Sequence, residues 1–362
     1  MNRIKPLENI GYLLDDDRAK NLLSKLIHPD KSEFPLAVTR AVLFVTNRCN
    51  FKCRYCKSLS HQMRHWATEE IIQLLDALAL SGTKHVQWTG GEASLRDDIV
   101  ELVRYSARHH MNNSMSTNVS LDLNKYISLV DAGLQRFYIS LDTLDDHEYD
   151  QITASHTSLS SILYNIHELV RYKKQKAFHM TLNVTLDSKR YASLVQNDFL
   201  ELKSILSWLV DSHVDDFKFL PVQDSNSQQC FTDHDTFSTF LQISRQIVPS
   251  EFLMFHHRLN TLMKGGHGFT VEKDHFCYQC LDDRAFDSSG SYGCVIQLRE
   301  GGKPIYFHDD PYEYKILSLM RFLNSNRYSD PICRSYCFDL YKDLNDRVHY
   351  LLKRTTATDI QT

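Results

Sequence analysis

Residues 45–57 read VTNRCNFKCRYCK and contain three cysteines, Cys49, Cys53 and Cys56, in the spacing C-x3-C-x2-C. Three thiolates this close together can each bind one iron of a cubic [4Fe–4S] cluster. The fourth iron then has no local cysteine and stays open to a second cofactor. A zinc site is the alternative, but it normally needs a fourth protein ligand nearby, and none is obvious. The segment therefore predicts an iron–sulfur cluster held on a loop.

The chain around this loop alternates between strand and helix patterns. Residues 41–46 predict a buried strand directly before the cysteines, and five more strands are predicted at 85–89, 113–117, 136–140, 179–186 and 216–221. Helical patterns are found between them, at 68–80, 97–109, 125–132, 159–172 and 198–210. Six such units predict an α/β fold with a parallel sheet, a partial (β/α)6 TIM-like barrel. In barrels of this kind the chemistry collects at the C-terminal ends of the strands.

The cysteine segment resembles the defining motif of the radical S-adenosylmethionine (SAM) superfamily, in which an aromatic residue, here Tyr55, stands beside the last cysteine. The tetrad Thr89-Gly90-Gly91-Glu92 follows the second predicted strand and resembles the SAM-amine motif of that superfamily; an ordinary turn is the alternative. Residues 132–152, AGLQRFYISLDTLDDHEYDQI, are closely similar to the MoaA-like family of molybdenum-cofactor cyclases. The resemblance thus points to a MoaA-like radical SAM enzyme.

A SAM pocket at the strand ends is what the resemblance implies. Glu92 would accept from the SAM ammonium group, Asn118 and Ser140 would contact its carboxylate or ribose, and Asn183 would lie near its ribose and adenine. Ordinary strand-end capping is the alternative for the last three. The family usually has Thr-Asn-Gly at the third strand end, where this chain has Val119 in place of the glycine. The implied cofactor-binding residues are Tyr55, Gly90, Gly91, Glu92, Asn118, Ser140 and Asn183.

A second group of cysteines lies near the C-terminus. Cys277, Cys280 and Cys294 have the spacing C-x2-C-x13-C, and Cys333 and Cys337 follow as C-x3-C. The first spacing resembles the C-terminal cluster motif of MoaA-like cyclases, and the extra pair resembles the SPASM and twitch auxiliary domains, in which a fourth cysteine completes the ligation. The resemblance implies a second, auxiliary [4Fe–4S] cluster held by these five cysteines, with a structural zinc ribbon as the alternative.

The surroundings of this group depart from the cyclase pattern. Leu281 and Asp282 stand where cyclases carry basic residues, although Arg284 falls at a basic position of the family, and the glycine-containing tail is absent. Residues 295–298 and 304–307 flank Glu300-Gly301-Gly302, which predicts a β-hairpin. We therefore expect a small α+β auxiliary domain rather than a cyclase site.

Composition and spacing predict the organisation of the chain. Its 362 residues allow a helical preface at 1–38, a radical SAM partial barrel at 39–225 and a cysteine-rich auxiliary domain at 226–362. The formal net charge of −4 argues against a nucleic-acid partner. The sequence has no apolar run of about 18 residues, so no membrane helix is predicted. No secretion signal is recognised at the N-terminus. Cysteines clustered at ligand spacings favour metal binding over disulfides, and so a cytoplasmic location.

The radical SAM resemblance implies reductive cleavage of SAM to a 5′-deoxyadenosyl radical, which abstracts hydrogen from a substrate. The expected substrate is a small polar metabolite, a nucleotide or sugar derivative, and the expected electron donor is of the flavodoxin or ferredoxin type. The alternatives are a peptide maturase that crosslinks or epimerises its substrate, and, less favoured, a molybdenum-cofactor cyclase. A non-catalytic metal-binding protein is a further alternative. No catalytic residue is identified, and Cys230 is a weak candidate for a hydrogen donor, with a plain packing role as its alternative.

Overall fold

The computed structural model describes residues 16–28, 34–57, 63–222, 234–263, 276–337 and 341–359. They form two compact units: a central unit within residues 44–62 and 87–267, and a terminal unit within residues 1–43, 63–86 and 268–362. The boundary crosses the first two strands, which therefore contribute to both units. No helix of the described ranges combines the length and the apolar character needed to cross a membrane.

The central unit is built on a parallel sheet whose strands follow one another in chain order, from β1 to β6. These strands are β1 (Arg40–Thr46), β2 (His85–Gly90), β3 (Asn112–Thr117), β4 (Leu134–Ser140), β5 (His179–Leu186) and β6 (Asp216–Pro221). In β1 the six residues after Arg40 are all buried, as expected for a parallel strand covered on both faces.

Helices connect these strands. They are α2 (Thr68–Leu80), α3 (Ile99–Arg108), α4 (Leu123–Ala132), α5 (Asp146–Thr153), α6 (Leu159–Tyr172), α7 (Ser188–Gln196) and α8 (Leu200–Asp211), followed by α9 (His234–Ile247) and α10 (Leu253–Met263). In α2 the predicted apolar positions Ile71, Leu74, Leu75 and Leu78 are the buried ones. The predicted α/β class and partial barrel are confirmed, since all six strands and all five helices occur near the predicted positions.

The terminal unit carries all five cysteines of the second group and both described chain ends. Its strands β7 (Asp283–Phe286), β8 (Gly290–Tyr292) and β9 (Tyr306–Phe307) continue from β1, with β7 parallel to β1 and the other two pairs antiparallel. Its remaining helices are α1 (Asp16–Ile27), α11 (Val295–Arg299), α12 (Tyr312–Leu323), α13 (Pro331–Tyr336) and α14 (Lys342–Asp359).

Helix α1 belongs to the core of this unit. Ala19 and Leu22 are fully buried and pack in one apolar cluster with Cys280, Leu344 and Val348. The N-terminal segment therefore contributes a face of the core that surrounds the second cysteine group.

The predicted hairpin at residues 295–307 is wrong. Val295–Arg299 is the short helix α11, which begins at Cys294, where the sulfur accepts a hydrogen bond from the Gln297 amide at 3.5 Å. Gly301 has a φ of +76°, and the Gly302 amide donates to the Gln297 carbonyl oxygen at 2.8 Å. The left-handed Gly301 and the hydrogen-bonded Gly302 therefore end a helix, and a left-handed glycine ends a helix as readily as it turns a hairpin.

Lys25 of α1 gives a first prediction, because its charge is buried. Its ammonium group donates to the Leu281 carbonyl oxygen at 2.8 Å, and burial lowers the pKa of Lys25 to about 8. Between this value and its ordinary pKa the unfolded chain binds more protons, so stability rises with pH in that interval. We expect the wild type to gain about 2 kcal/mol relative to Lys25→Met between pH 8 and pH 10, in urea unfolding.

Lys20→Met is the control for this experiment. Lys20 lies on the same helix with a side chain that is 62% exposed. The Lys20 variant should follow the wild-type pH dependence, and an equal response of both variants would contradict the assignment to Lys25.

Candidate cluster and cofactor site

The loop that holds Cys49, Cys53 and Cys56 lies in the central unit and is fixed by helix α5. The backbone amide of Lys52 donates to the Thr153 carbonyl oxygen at 2.8 Å, and that of Arg54 donates to the Ile152 carbonyl oxygen at 2.9 Å. Ala154 ends α5 in a left-handed conformation, so the last carbonyl groups of the helix are available to the loop. The loop thus donates hydrogen bonds to the last carbonyl groups of α5, and these bonds fix its position.

The three thiols differ in exposure. Cys56 is exposed, whereas Cys49 and Cys53 are partly covered. Burial raises the pKa of Cys49, and burial together with the nearby Asp142 raises the pKa of Cys53 to about 12. These two thiols are therefore protonated at neutral pH unless a metal replaces the proton, which is the exchange expected of a cysteine ligand.

Tyr55, between the last two cysteines, is anchored to the sheet. Its hydroxyl donates to Asp142 Oδ2 at 2.5 Å, and Asp142 Oδ1 accepts from the Thr185 amide at 2.7 Å. Asp142 is buried, and burial raises its pKa. One carboxyl group therefore joins the cysteine loop to the end of β4 and to β5. Asp142 was not predicted as a site residue, although it is a carboxylate two residues after Ser140 at a strand end.

Removal of the Tyr55 hydroxyl should cost stability because it takes one of two described hydrogen bonds from buried Asp142. We expect Tyr55→Phe to lower the free energy of unfolding by about 2 kcal/mol. Tyr172→Phe makes the same chemical change at an exposed bond to Asp131, 3.0 Å long, and should cost less than about 0.5 kcal/mol. Urea unfolding of both variants tests this prediction. Equal losses of unfolding free energy would contradict a special role of Asp142.

Arg54 forms a second tie from the loop. Its guanidinium donates to both carboxylate oxygens of Asp187, at 2.7 and 3.0 Å. Asp187 also caps helix α7 by accepting from the Arg190 amide at 2.8 Å. This paired geometry is the strongest arrangement that arginine and a carboxylate adopt, and it fixes the residue between Cys53 and Tyr55.

The glycines at the end of β2 allow a close approach of two backbones. The Gly91 amide donates to the Thr46 carbonyl oxygen at 2.7 Å, and the Glu92 amide donates to that of Arg48 at 2.8 Å. A Cβ atom on Gly90 would lie 2.2 Å from the Thr46 carbonyl oxygen, and one on Gly91 would lie 2.3 Å from that of Arg48. Only glycine fits at either position, so the pair brings β2 against the cysteine loop.

Glu92 is buried and its carboxylate is engaged within the protein. Oε1 accepts from the Ser94 hydroxyl at 2.6 Å and from the Ser94 amide at 3.1 Å, and Oε2 accepts from the Asn118 amide at 2.7 Å. Burial raises its pKa. The geometry makes Glu92 a brace between the ends of β2 and β3; its predicted contact with the SAM ammonium group stays a prediction.

Asn118 and the residue after it form a tight turn at the end of β3. The Asn118 side chain donates to Asn50 Oδ1 at 3.0 Å, which ties it to the cysteine loop. Val119 is fully buried with a φ of +47°, a left-handed conformation that is strained for a β-branched residue. A glycine would adopt this conformation without strain, and Asn165 supports it here by donating to the Val119 carbonyl oxygen at 2.7 Å.

Ser140 and Asn183 are paired neighbours on β4 and β5. Ser140 is exposed at the strand end, whereas Asn183 is 7% exposed. Among the described residues, Asn183 Oδ1 has no hydrogen-bond partner although it is buried. A buried acceptor without a partner costs about 1–3 kcal/mol, so this oxygen is suited to receive a donor from a ligand.

The second cysteine group lies in the terminal unit. Cys277, Cys294, Cys333 and Cys337 line one pocket, whereas Cys280 is fully buried in the apolar cluster. Within the described ranges, no three His, Cys, Asp or Glu side chains are close enough to share a single ion. Cys230 lies outside the described residues.

Charged residues around this group are paired with one another. Arg18 binds Asp282 and Arg40 binds Asp283. Arg284 is fully buried and donates to the carbonyl oxygens of Cys280, at 2.7 Å, and of Pro35. These contacts engage the guanidinium groups of Arg18, Arg40 and Arg284 with acceptors of the protein itself.

Comparison with known proteins adds evidence for the central unit. Residues 43–192 match the model of the Radical SAM superfamily. The chain is 30% identical over 166 residues to a probable GTP 3′,8-cyclase of Thermococcus kodakarensis. The aligned residues make up 45% of this chain and 54% of the relative. It is 37% identical over 138 residues to the GTP 3′,8-cyclase of Marinobacter nauticus. Here the aligned residues make up 37% of this chain and 42% of the relative. The chain thus spans about half the length of these relatives.

Among solved structures, Streptococcus suis SuiB bound to the precursor peptide SuiA is similar, with a TM-score of 0.57 and 14% identity over 91% of this chain and 71% of SuiB. At this identity the likeness concerns the fold. The family match covers the cysteine loop, the glycine pair and the ends of β3, β4 and β5. Residues 43–192 of this chain therefore match the Radical SAM superfamily at the segments that form the site.

Proposed function

We propose that the chain binds a [4Fe–4S] cluster through Cys49, Cys53 and Cys56 and, with SAM, abstracts a hydrogen atom from a small polar metabolite. The match of residues 43–192 to the Radical SAM superfamily supports the cluster and SAM. When bound together, they supply a one-electron cleavage that yields methionine and a 5′-deoxyadenosyl radical. A flavodoxin- or ferredoxin-type protein would deliver the electron, which fits the proposed cytoplasmic location.

The observation that carries the proposal is the convergence of the cysteine loop with polar strand ends in one unit. Gly90 and Gly91 hold β2 against the loop, and Asn118 donates to Asn50 of the same loop. The buried Asn183 Oδ1 lacks a described partner, and buried polar atoms in native proteins are nearly always paired. A ribose hydroxyl of SAM is the kind of donor that would satisfy it. The residues therefore fit both groups.

The residues of the chain act mainly by positioning. Asp142 and Arg54 fix the loop on both sides of Cys53 and Tyr55, so that the thiols keep their spacing. The Glu92 carboxylate holds Asn118 in place by accepting a hydrogen bond from the Asn118 backbone amide. Such preorganisation lowers the cost of ordering the loop when the cofactors bind.

The substrate class rests on how three arginines in the described part of the terminal unit are engaged. Cyclases would need free basic groups to hold a nucleoside triphosphate, and here Arg18, Arg40 and Arg284 bind Asp282, Asp283 and two carbonyl oxygens. GTP 3′,8-cyclase activity, named for the relatives, is therefore the least favoured candidate. A nucleotide or sugar derivative without a triphosphate is favoured.

A ribosomally made peptide is the second candidate substrate. The observation that favours it is the likeness to SuiB, a structure bound to a precursor peptide, which extends over 91% of this chain. The reaction would then be a crosslink or an epimerisation.

The test is a deuterium-transfer assay on the anaerobically reconstituted chain. Reduction in the presence of SAM should produce 5′-deoxyadenosine and methionine in equal amounts. Deuterated nucleotides, sugars and candidate peptides are then supplied in turn, and mass spectrometry identifies the compound that labels 5′-deoxyadenosine. Label from a peptide alone would replace the metabolite proposal, and no SAM cleavage by a chain that carries its cluster would refute the enzyme proposal.

A further inference from the structure

One face of the central sheet is polar from β3 to β6. Phe137 of β4 packs edge-on against Tyr126 of α4, with ring centroids 6.2 Å apart, so it lies on the face that the helices cover. Arg136 and Tyr138 lie on the opposite face, because successive side chains of a strand alternate. We call this opposite surface the inner face. Up to the level of Ser140, the strand registers place on it Ser114, Ser116, Arg136, Tyr138, Ser140, His179, Thr181, Asn183, Asp216 and Lys218.

This composition is unusual for the interior of a barrel. Barrel interiors are normally filled by bulky, branched apolar side chains, whereas all ten residues of this set carry polar groups. On β3 the inner residues Ser114 and Ser116 are half-buried, while Asn113 and Met115 of the helix-covered face are buried. Lys218 on β6 is half-buried as well. Solvent therefore reaches the inner face, which borders a space suited to a polar ligand.

Arg136 carries a buried positive charge on the inner face. The residue is 4% exposed, and in the part of the chain that the structure describes its Nε has no hydrogen-bond partner. Its guanidinium lies over the Tyr138 ring, 5.8 Å from the centroid. The one carboxylate of the set, that of Asp216, is engaged elsewhere, in an ion pair with Arg258 at 2.8 Å. Buried charges in proteins are normally paired, so Arg136 is suited to an anionic group from outside the chain.

A second cation lies over the same ring. The Lys218 Nζ is 4.7 Å from the centroid of Tyr138, and Lys218 is paired with Asn183 on the neighbouring strand. His179 is paired with Arg136 and adds no charge at neutral pH, since burial and the Arg136 guanidinium lower the pKa of His179 to about 4. The inner face thus presents two cations beside one aromatic ring.

We propose that Arg136 and Lys218 bind an anionic group of the substrate, a carboxylate or a phosphate monoester, on the inner face of the barrel. This role rests on the proposed function in taking the ligand to be the substrate. The guanidinium is a planar fork that matches two anionic oxygens, and the ammonium group adds a point charge. Arg136 precedes Ser140 by four residues, about 13 Å along the strand. The anionic end of the substrate would lie inside the barrel, and its other end would face the strand ends.

The test measures anion binding by the anaerobically reconstituted full-length chain. Inorganic phosphate and acetate are the probes, chloride keeps the ionic strength constant, and the readout is the urea midpoint of unfolding. An anion that binds the folded chain raises this midpoint in a saturable way, whereas exclusion of phosphate from the surface raises it without saturation. Arg136→Met and Lys218→Met are compared with the wild type. Lys174→Met is the matched control, because Lys174 is exposed just after α6.

We expect a saturable rise of the wild-type midpoint and the same response of Lys174→Met. The concentration for half-saturation should be at least about tenfold higher in Arg136→Met and Lys218→Met. A response to phosphate alone would indicate a phosphorylated substrate, and a response to acetate alone a carboxylate. Without a probe, Arg136→Met should unfold at the wild-type midpoint or above, since it removes a buried charge that has no partner.

Equal responses of the wild type and both inner-face variants would overturn the proposal, as would a wild type that responds to neither probe in a saturable way. A lower midpoint of Arg136→Met without a probe would make Arg136 a structural residue. If Arg136→Met does not fold, Lys218→Met decides the comparison. SAM cleavage takes no part in this measurement, so a failure here and a failure of the enzyme proposal are separate results.

Discussion

Replacement of Cys49, Cys53 and Cys56 together by alanine is expected to lower the iron content of the reconstituted chain from about eight to about four atoms. SAM cleavage should fall at least about a thousandfold, to the background of the reductant. The physical reason is the absence of replacement ligands. Within the described ranges no group of three His, Cys, Asp or Glu side chains is close enough to share an ion position, so no neighbouring side chains replace the three lost thiols.

Anaerobic reconstitution followed by counting of iron, sulfide and zinc measures this effect, with 5′-deoxyadenosine as the activity readout. Lys52→Ala is the matched control, because it changes an exposed side chain of the same loop and keeps the backbone amide that binds Thr153. About four irons falling to none, with zinc retained, would make the second site structural zinc. No iron in the wild type would contradict the cluster proposal altogether.

The local patterns were sufficient for the regular elements of the fold. Strand β5 and helix α6 have the predicted bounds, because an apolar run or a helical period decides them locally. Helices α5 and α7 were not predicted, since they are eight and nine residues long, too short for a clear period. Each depends on an aspartate cap, Asp145 or Asp187, and α5 also on the cysteine loop that takes up its last carbonyl groups. The aspartate caps are local, but the contact of α5 with the cysteine loop is tertiary and has no local signature.

The motifs of the site could be predicted from the sequence, but the hydrogen bonds that hold them in place could not. The spacing of the cysteines and the glycine pair could be recognised in the sequence, and the structure brings the pair against the loop. Asp142 links Tyr55, 87 residues away, with Thr185, 43 residues away, and no spacing rule connects such positions. Glu92 shows the same limit: the motif that contains it gave no sign that its two oxygens accept hydrogen bonds from Ser94 and Asn118.

The surroundings of the second cysteine group could not be predicted from its spacing. Five cysteines share a short C-terminal region of the sequence, yet four line the pocket and Cys280 packs against α1. Helix α1 is more than two hundred residues away along the chain. The packing of Ala19 and Leu22 therefore decides the surroundings of Cys280, and this information is absent from the local motif.

The second large effect is expected from Gly91→Ala, which should loosen the cysteine loop without changing a ligand. The new Cβ would lie 2.3 Å from the Arg48 carbonyl oxygen and 2.9 Å from that of Asn47. These are backbone atoms directly before Cys49, so the loop itself must move. We expect a loss of about 3 kcal/mol in unfolding free energy, together with at least a tenfold lower affinity for SAM and a lower iron content at the first site.

Gly82→Ala separates this clash from the general cost of replacing a glycine. Gly82 has a φ of +81°, and a Cβ there meets no atom within 4 Å. Its replacement should cost about 1–2 kcal/mol of backbone strain while iron content and SAM affinity stay at wild-type values. Urea unfolding, iron analysis and equilibrium binding of SAM on both variants make the comparison. If Gly91→Ala kept its iron and its SAM affinity, the contact between β2 and the cysteine loop would not be what orders the site, and Arg54 and Asp142 would have to suffice.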